Sequence, residues 1–408
     1  MSEQLVSGVP GAAAAIDEAA RRASVVAAKR RCARCLYDAE TPAIEFDAQG
    51  VCNYCAMHDQ FDTEYPTGAE GERRLRELAA RIKDAGRGKK FDVIVGVSGG
   101  CDSSYLLYKT KELGLRPLAV HFDNTWDSKI AVENIHNVLR KLDVELFTYV
   151  VDNEEYNDIY RAFMLAGVPD IEAPTDIGLA TTLYLAAEKF GIKYMFEGHS
   201  FRTEGVSPLG WLYMDGKYIE SVVKRFGNYR SHRLKSFPNL WITRFLKYML
   251  ITRVKKVRPL YWIDYRKEDT KRFLSEEFGW QWYSGHHLEN RFTAFYHSYF
   301  LPRRFGIDGR VLGYAALVRS DQMARDEGLR LLAEPPVCDP DIIEMVKKRL
   351  GFSDTEFERV MTQPRHSYRE FTTYKPTFER LRPFFWLMYR LDLVPKSFYI
   401  KYTSKTNV

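Results

Sequence analysis

Seven consecutive residues, Ser98-Gly99-Gly100-Cys101-Asp102-Ser103-Ser104, combine the groups needed to hold a phosphate. They lie between a β-branched run (91–98) and a helix-spaced segment (103–114), which predicts a strand-to-helix turn at this point. Adjacent glycines let the backbone approach an anion closely. The first N–H groups of the following helix are unpaired and carry the positive end of its dipole. Ser98, Ser103 and Ser104 add hydroxyl donors around the same point, so the pattern reads as an oxyanion cradle. It is not the lysine-bearing G-x-x-x-x-G-K-[ST] loop. Asp102 would repel a phosphate unless a cation neutralised it, which points to Mg²⁺ bridging Asp102 and phosphate oxygens. A plain strand–turn–helix junction with a serine cap explains neither the serines on both sides nor the acid between them.

A second constellation is Cys32-x₂-Cys35-x₁₆-Cys52-x₂-Cys55. Two Cys-x-x-Cys turns present four thiolates to one point, the spacing of a structural Zn²⁺ site. A rubredoxin-like iron site and a pair of disulfides are the alternatives, the second disfavoured in a reducing compartment. A block this small has no core of its own, so metal binding would supply its folding energy. His58 lies nearby and reads as a surface residue.

The elements that must position these groups alternate. Strand patterns at 91–98, 116–122, 144–151 and 192–198 are separated by helical ones at 103–114, 128–142 and 176–190. This predicts an α/β fold, a doubly wound parallel sheet with helices on both faces. The 408 residues carry ordinary globular fractions, 45% hydrophobic and 28% charged, with a net charge of +6. Positive charge is concentrated: from Ser221 to Arg258 there are eleven Lys/Arg and no Asp or Glu. An acidic partner, a nucleotide diphosphate or a membrane surface would each suit such a segment, as would plain solvation. Neither a signal-type apolar core nor an 18-residue apolar run occurs, so a cytoplasmic setting is expected. Expected divisions are an N-terminal arm (1–30), a Cys₄ zinc ribbon (31–60), an α/β domain (86–275) bearing the phosphate loop and the inserted basic segment 221–258, and a mostly helical C-terminal region (276–408).

SGGxDS after the first strand resembles the signature of the PP-loop ATP pyrophosphatases. Gly198-His199-Ser200 after a later strand, and Arg258-Pro259-Leu260 followed by Lys267, resemble two further elements of that superfamily. The resemblance implies that ATP is cleaved between its α- and β-phosphates and a carbonyl oxygen is activated as its adenylate. It also implies Lys267 facing the phosphates, Gly198 and His199 near the nucleotide, and Asp123 and Asn124, at the end of the second strand, beside the adenosine. Asp102, Ser103, Lys267 and His199 are the catalytic candidates, with Ser98, Gly99, Gly100 and Ser104 holding phosphate. ATP, Mg²⁺ and Zn²⁺ are the expected cofactors.

From Cys32 to about Tyr374 the chain resembles the N-acetyl sugar amidotransferases of surface-polysaccharide biosynthesis (WbpG/PseA type). CARCLYDAETPAIEFDAQGVCNYC, VPDIEAPTDIGLATTLY, GHSFRTEG and HHLENRFTAFYHSYFLPRRFGID carry that likeness. It implies adenylation of the acetamido oxygen of a nucleotide-activated sugar and its replacement by ammonia. The sequence contains no recognisable glutaminase, so the resemblance implies separate partners like the histidine-biosynthesis glutaminase and its (β/α)₈ synthase subunit. Nucleic acid is not an expected partner. The competing reading is a tRNA-modifying thiolase or ligase with a zinc ribbon, for which only Cys101 and Cys338 remain as spare thiols. Asp176, Arg202, Glu204, His286, His287 and Glu289 are further candidate substrate contacts.

Overall fold

The β-branched runs of the sequence become five short parallel strands: β1 (Val93–Gly96), β2 (Pro117–Asp123), β3 (Leu146–Val150), β4 (Tyr194–Phe196) and β5 (Lys255–Val257). Their order is β3-β2-β1-β4-β5. The computed structural model describes residues 29–208, 211–228, 234–283, 285, 288–391, 393, 394 and 396–404. Nearly all of the expected N-terminal arm, together with His286 and His287, lies outside the described residues.

Ahead of the sheet come α1 (Asn53–Glu64), on the second Cys-x-x-Cys turn, and α2 (Gly68–Ala85). The crossovers are α3 (Cys101–Glu112), α4 (Lys129–Leu142), α5 (Asn153–Ala166) and α6 (Ala173–Phe190). Alternation along the strands sends side chains to two cores. Val93, Val95, Ala119 and Phe196 pack with α2, α3 and α4 through residues such as Ile82, Leu106 and Ile135. Ile94, Leu118, Val120 and Met195 pack on the other face against Leu183, Ala186 and Ala187 of α6. The sheet is therefore covered on both faces, as a doubly wound sheet requires. Winding reverses between β1 and β4, so the ligand crevice belongs at their C-terminal ends.

The local reasons are ordinary. Ser128 caps α4 by accepting from the Ala131 N–H, and Ala131, Ile135, Val138 and Leu139 recur at helical spacing on its buried face. Gly191 ends α6 in the left-handed region.

The basic stretch is more than an insertion. It runs through most of α7 (Gly216–Phe226), α8 (Ile242–Lys247) and a widened turn (Tyr248–Thr252), and then supplies β5. Its cations meet acids from elsewhere: Lys247 pairs with Glu188, and Lys256 and Arg258 pair with Glu197 at 2.6 and 3.1 Å. Beyond it the chain is helical: α9 (Lys267–Phe278), α10 (Arg291–Phe295) with widened turns to Phe305, α11 (Arg310–Arg319), α12 (Arg325–Ala333), α13 (Pro340–Leu350), α14 (Asp354–Thr362), α15 (Lys375–Arg380), α16 (Arg382–Arg390) and α17 (Lys396–Thr403). Phe292, Phe295, Val346 and Phe357 of this region share one core with Tyr156, Tyr160 and Phe163 of α5. Among the described residues no helix is long and apolar enough to cross a membrane.

Candidate active site and metal centre

The residues expected to cradle phosphate lie at the junction of β1 and α3. Gly99 sits at φ +77°, and a Cβ there would lie 2.2 Å from the Ala131 carbonyl oxygen, so only glycine fits. Its own carbonyl accepts from Trp280 Nε1 (2.9 Å) and Asn134 Nδ2 (3.3 Å), which pins the turn from two elements. Gly100 opens α3, the Ser103 hydroxyl returns to the Gly100 carbonyl (3.2 Å), and the Gly100 N–H reaches Ser98 Oγ (3.3 Å). Ser104 is buried one position on. Gly198, just past β4, lies against the first turn of α3: a Cβ on it would stand 3.3 Å from the Ser103 nitrogen.

Asp102 is not left to repel phosphate. Lys267 Nζ, at the start of α9, donates to its Oδ2 at 3.0 Å, and the Tyr265 hydroxyl donates to its Oδ1. Burial would lower the Lys267 ammonium, but Asp102 and Glu204 outweigh it and hold the group charged. Glu204 is the second acid here; burial first, then the Asp102 charge, push its carboxyl up to about 8, against Lys267 and Arg258. His199 Nδ1 meets the Tyr261 hydroxyl at 3.0 Å, and its Nε2 lies 4.0 Å from Glu204. Asp102, with Glu204 close by, offers carboxylate oxygens of the kind Mg²⁺ prefers, so the residues present fit such an ion carried in on a polyphosphate. Such an ion would neutralise charge on the phosphates. Arg258 is engaged differently from Lys267, donating to Glu197 (3.1 Å) and to the Tyr261 hydroxyl (3.0 Å). Burial would raise the Glu197 carboxyl, but Lys256 and Arg258 hold it at about 2.

The end of β2 is occupied by a buried network. Asp123 Oδ1 accepts from the Thr125 N–H (2.8 Å), and Asn124 is bonded to Tyr160, Trp126 N and Asn290. His121 bridges the Val97 carbonyl (2.9 Å) and Asp127 (3.1 Å). Through Asn290 this network holds the segment before α10 over the phosphate loop, where Glu289 Oε1 accepts from Ser98 Oγ at 3.3 Å. Glu172, before α6, is buried; its Oε2 accepts from Thr293 Oγ1 (3.0 Å), and its Oε1 accepts no hydrogen bond among the described residues. Burial, then the neighbouring Asp176, push the Glu172 carboxyl up to about 8. Asp176 is exposed on the first turn of α6. Arg202 is a fastener: it donates to the carbonyls of Tyr261 (2.6 Å) and Tyr65 (2.9 Å) and pairs with Asp62.

The four cysteines converge. Their sulfurs all lie within 4.8 Å of one another, with three pairs at 3.7 Å. A tetrahedron of sulfurs around Zn²⁺ has edges of about 3.8 Å, whereas a disulfide closes to about 2 Å. The set fits Zn²⁺, which would supply folding energy to the ribbon. Buried Arg319, at the end of α11, donates to Cys35 Sγ (3.1 Å) and Cys55 Sγ (3.5 Å). His58 is buried rather than on the surface, at 3.3 Å from Asp62 and edge-on to Phe201.

The sequence gives no sign of Tyr265, Trp280, Asn290, Arg319 or Gln322, whose Oε1 accepts from the Lys267 N–H at 3.3 Å. Each acts across a long sequence separation, and a lone tyrosine or glutamine carries no local signal. The aromatic run from Trp280 to Tyr283 beside Glu289 was the nearest available hint.

Residues 289–383 match the profile of the family described as LPS biosynthesis protein WbpG-like, C-terminal domain. Among curated proteins the chain is 26% identical over 172 residues to an uncharacterized protein of Methanocaldococcus jannaschii, covering 41% of this chain and 58% of that protein. It is 30% identical over 127 residues to the tRNA-specific 2-thiouridylase MnmA of Colwellia psychrerythraea (28% of this chain, 34% of that one). For the same enzyme of Proteus mirabilis it is 31% over 129 residues (28% and 35%). The chain thus spans only part of the length of each of these relatives. A structure of NMN synthetase from Francisella tularensis is similar at 14% identity over 56% of this chain and 92% of that one, with a TM-score of 0.24. The SGGxDS loop on the first strand of a parallel sheet and the 2-thiouridylase relatives support the PP-loop ATP pyrophosphatase superfamily, and residues 289–383 support the WbpG type within it.

Proposed function

We propose that the protein is an ATP-dependent amidotransferase of lipopolysaccharide-type glycan biosynthesis, which turns the acetamido group of a nucleotide-linked sugar into an acetamidino group. The observation that carries this reading is the Asp102–Lys267–Tyr265 cluster on the first turn of α3. It sets a buried cation beside a glycine-built anion cradle, where leaving pyrophosphate would be held. Ser98, Gly99, Gly100, Ser103 and Ser104 bind the phosphates, Lys267 stabilises charge on the departing group, and His199 positions or moves a proton. The acetamido oxygen attacks the α-phosphorus and pyrophosphate leaves. Ammonia then attacks the imidate carbon, and the C–O bond breaks with release of AMP. Ammonia comes from a separate glutaminase and a (β/α)₈ channel subunit.

The 2-thiouridylase relatives favour a second reading, tRNA thiolation. Its difficulty is chemical: sulfur transfer needs a reactive thiolate. Burial, with Asp102 adding, pushes the Cys101 thiol up to about 12, and Cys338 lies in a Pro-flanked turn.

Protein incubated with ATP, Mg²⁺ and ammonium, and then with either a panel of UDP- and CMP-linked acetamido sugars or bulk tRNA, separates the two. Sugar-dependent pyrophosphate release, a product lighter by the difference between O and NH, and silence of Asp102→Ala support the amidine reading. Pyrophosphate release that depends on tRNA refutes it.

A further inference from the structure

We infer that the four-cysteine centre positions the phosphate-site lysine, through a four-residue bridge, Arg319 to Gln322; the inference rests on the reading of the 98–104 loop as the ATP site. At one end Arg319 donates to two of the sulfurs and lies over the Tyr37 ring, 4.3 Å from its centroid. At the other end Gln322 Oε1 accepts from the Lys267 N–H (3.3 Å), and its Nε2 donates to the Tyr265 carbonyl (3.1 Å). Lys267 and Tyr265 both donate to Asp102. Between the ends, Ser320 Oγ meets the Arg202 carbonyl at 2.6 Å, Asp321 turns the chain at φ +55°, and the Gln322 N–H closes on the Leu317 carbonyl at 2.8 Å. Each link is a hydrogen bond or a covalent bond, so the path has no slack joint.

The hydrogen bonds from Arg319 to two of the sulfurs set the direction of the coupling. Four thiolates around a divalent ion leave about two negative charges, and the buried Arg319 guanidinium offsets one of them. Groups that donate to metal-bound ligands orient the ligands and are in turn fixed by them. With the metal removed nothing holds the four sulfurs at one point, and Arg319 loses the fixed pair of acceptors that orients it. Its withdrawal moves Ser320 and Gln322 and frees the Tyr265–Lys267 backbone. Metal loss or thiol oxidation at the ribbon would therefore weaken ATP binding. A ribbon that only staples the fold would leave the nucleotide site unchanged.

The test uses the full chain with Gln322→Ala and Arg319→Gln variants. Zinc content, affinity for a non-hydrolysable fluorescent ATP analogue with Mg²⁺, and amide exchange at Tyr265–Lys267 without nucleotide are measured before and after chelation. Gln322→Ala should keep its zinc and bind the analogue on the order of tenfold more weakly, and Arg319→Gln should also lose zinc to the chelator on the order of tenfold faster. Chelation should speed exchange at Tyr265–Lys267 in the wild type and add nothing to the loss in Gln322→Ala. Unchanged nucleotide affinity and unchanged exchange in Gln322→Ala, or equal further losses on chelation in wild type and variant, would overturn the bridge. Exchange judges it even if the wild type binds no nucleotide, an outcome that sinks the proposed function instead. If chelation unfolds the wild type, zinc-loaded Gln322→Ala still decides.

Discussion

Lys267→Met isolates the ion pair at the centre of the proposed site. Lys267 Nζ and Asp102 Oδ2 are 3.0 Å apart, with the two side chains 10% and 16% exposed. Removing one partner of a buried pair costs about 3–5 kcal/mol, because the other charge stays buried. Here Asp102 keeps the Tyr265 hydroxyl and the N-terminal end of α3, which argues for the lower end, about 3 kcal/mol. Asp102→Asn alone forfeits a charged hydrogen bond, about 2 kcal/mol, and leaves Lys267 its second acid, Glu204. The double variant removes both charges and should cost less than the two losses added, by about 2 kcal/mol. Urea unfolding of the four proteins measures this coupling. Pyrophosphate release should fall by about two to three orders of magnitude in both single variants and stay low in the double one. Stability recovered without activity is the expected signature. Stability losses that add to within about 0.5 kcal/mol would refute the pair as a coupled unit.

Gly99→Ala should abolish ATP-analogue binding without unfolding the chain by circular dichroism, because the added Cβ meets the Ala131 carbonyl at a left-handed backbone position. Glu172→Gln should gain stability over the wild type as pH rises from about 4.5 to about 8. Across that window the wild-type carboxyl, raised to about 8, keeps its proton in the fold while the unfolded chain has released it, so ionisation favours unfolding; a flat difference in melting temperature from pH 5 to 8 would contradict the assignment. Cys101→Ser should keep pyrophosphate release within a few-fold of wild type, whereas a thiolase that used this thiol would be silenced.

The sequence is most legible where the pattern is local. The phosphate loop lies within seven residues at a strand end, and its glycine is demanded by one turn. The cysteine pairs carry their spacing in each turn and need the fold only to bring two turns together. β5 was hidden because Lys255-Lys256-Val257 is a basic run whose strand character comes from pairing with Tyr194–Phe196, not from its own composition. Arg202 reads in the sequence as a candidate substrate contact, whereas in the structure it donates to two backbone carbonyls and pairs with Asp62. Gln322 and Asn290 could not be found by pattern, since their partners are 55 and 166 positions away.

The central claim is that a substrate oxygen is adenylated at the 98–104 loop. It is tested most directly with acetamido sugars carrying ¹⁸O in the acetamido carbonyl, turned over with ATP, Mg²⁺ and ammonium. Mass analysis of the products should find the label in AMP and an amidine sugar without it. Label retained in the sugar while AMP forms unlabelled would contradict the claim.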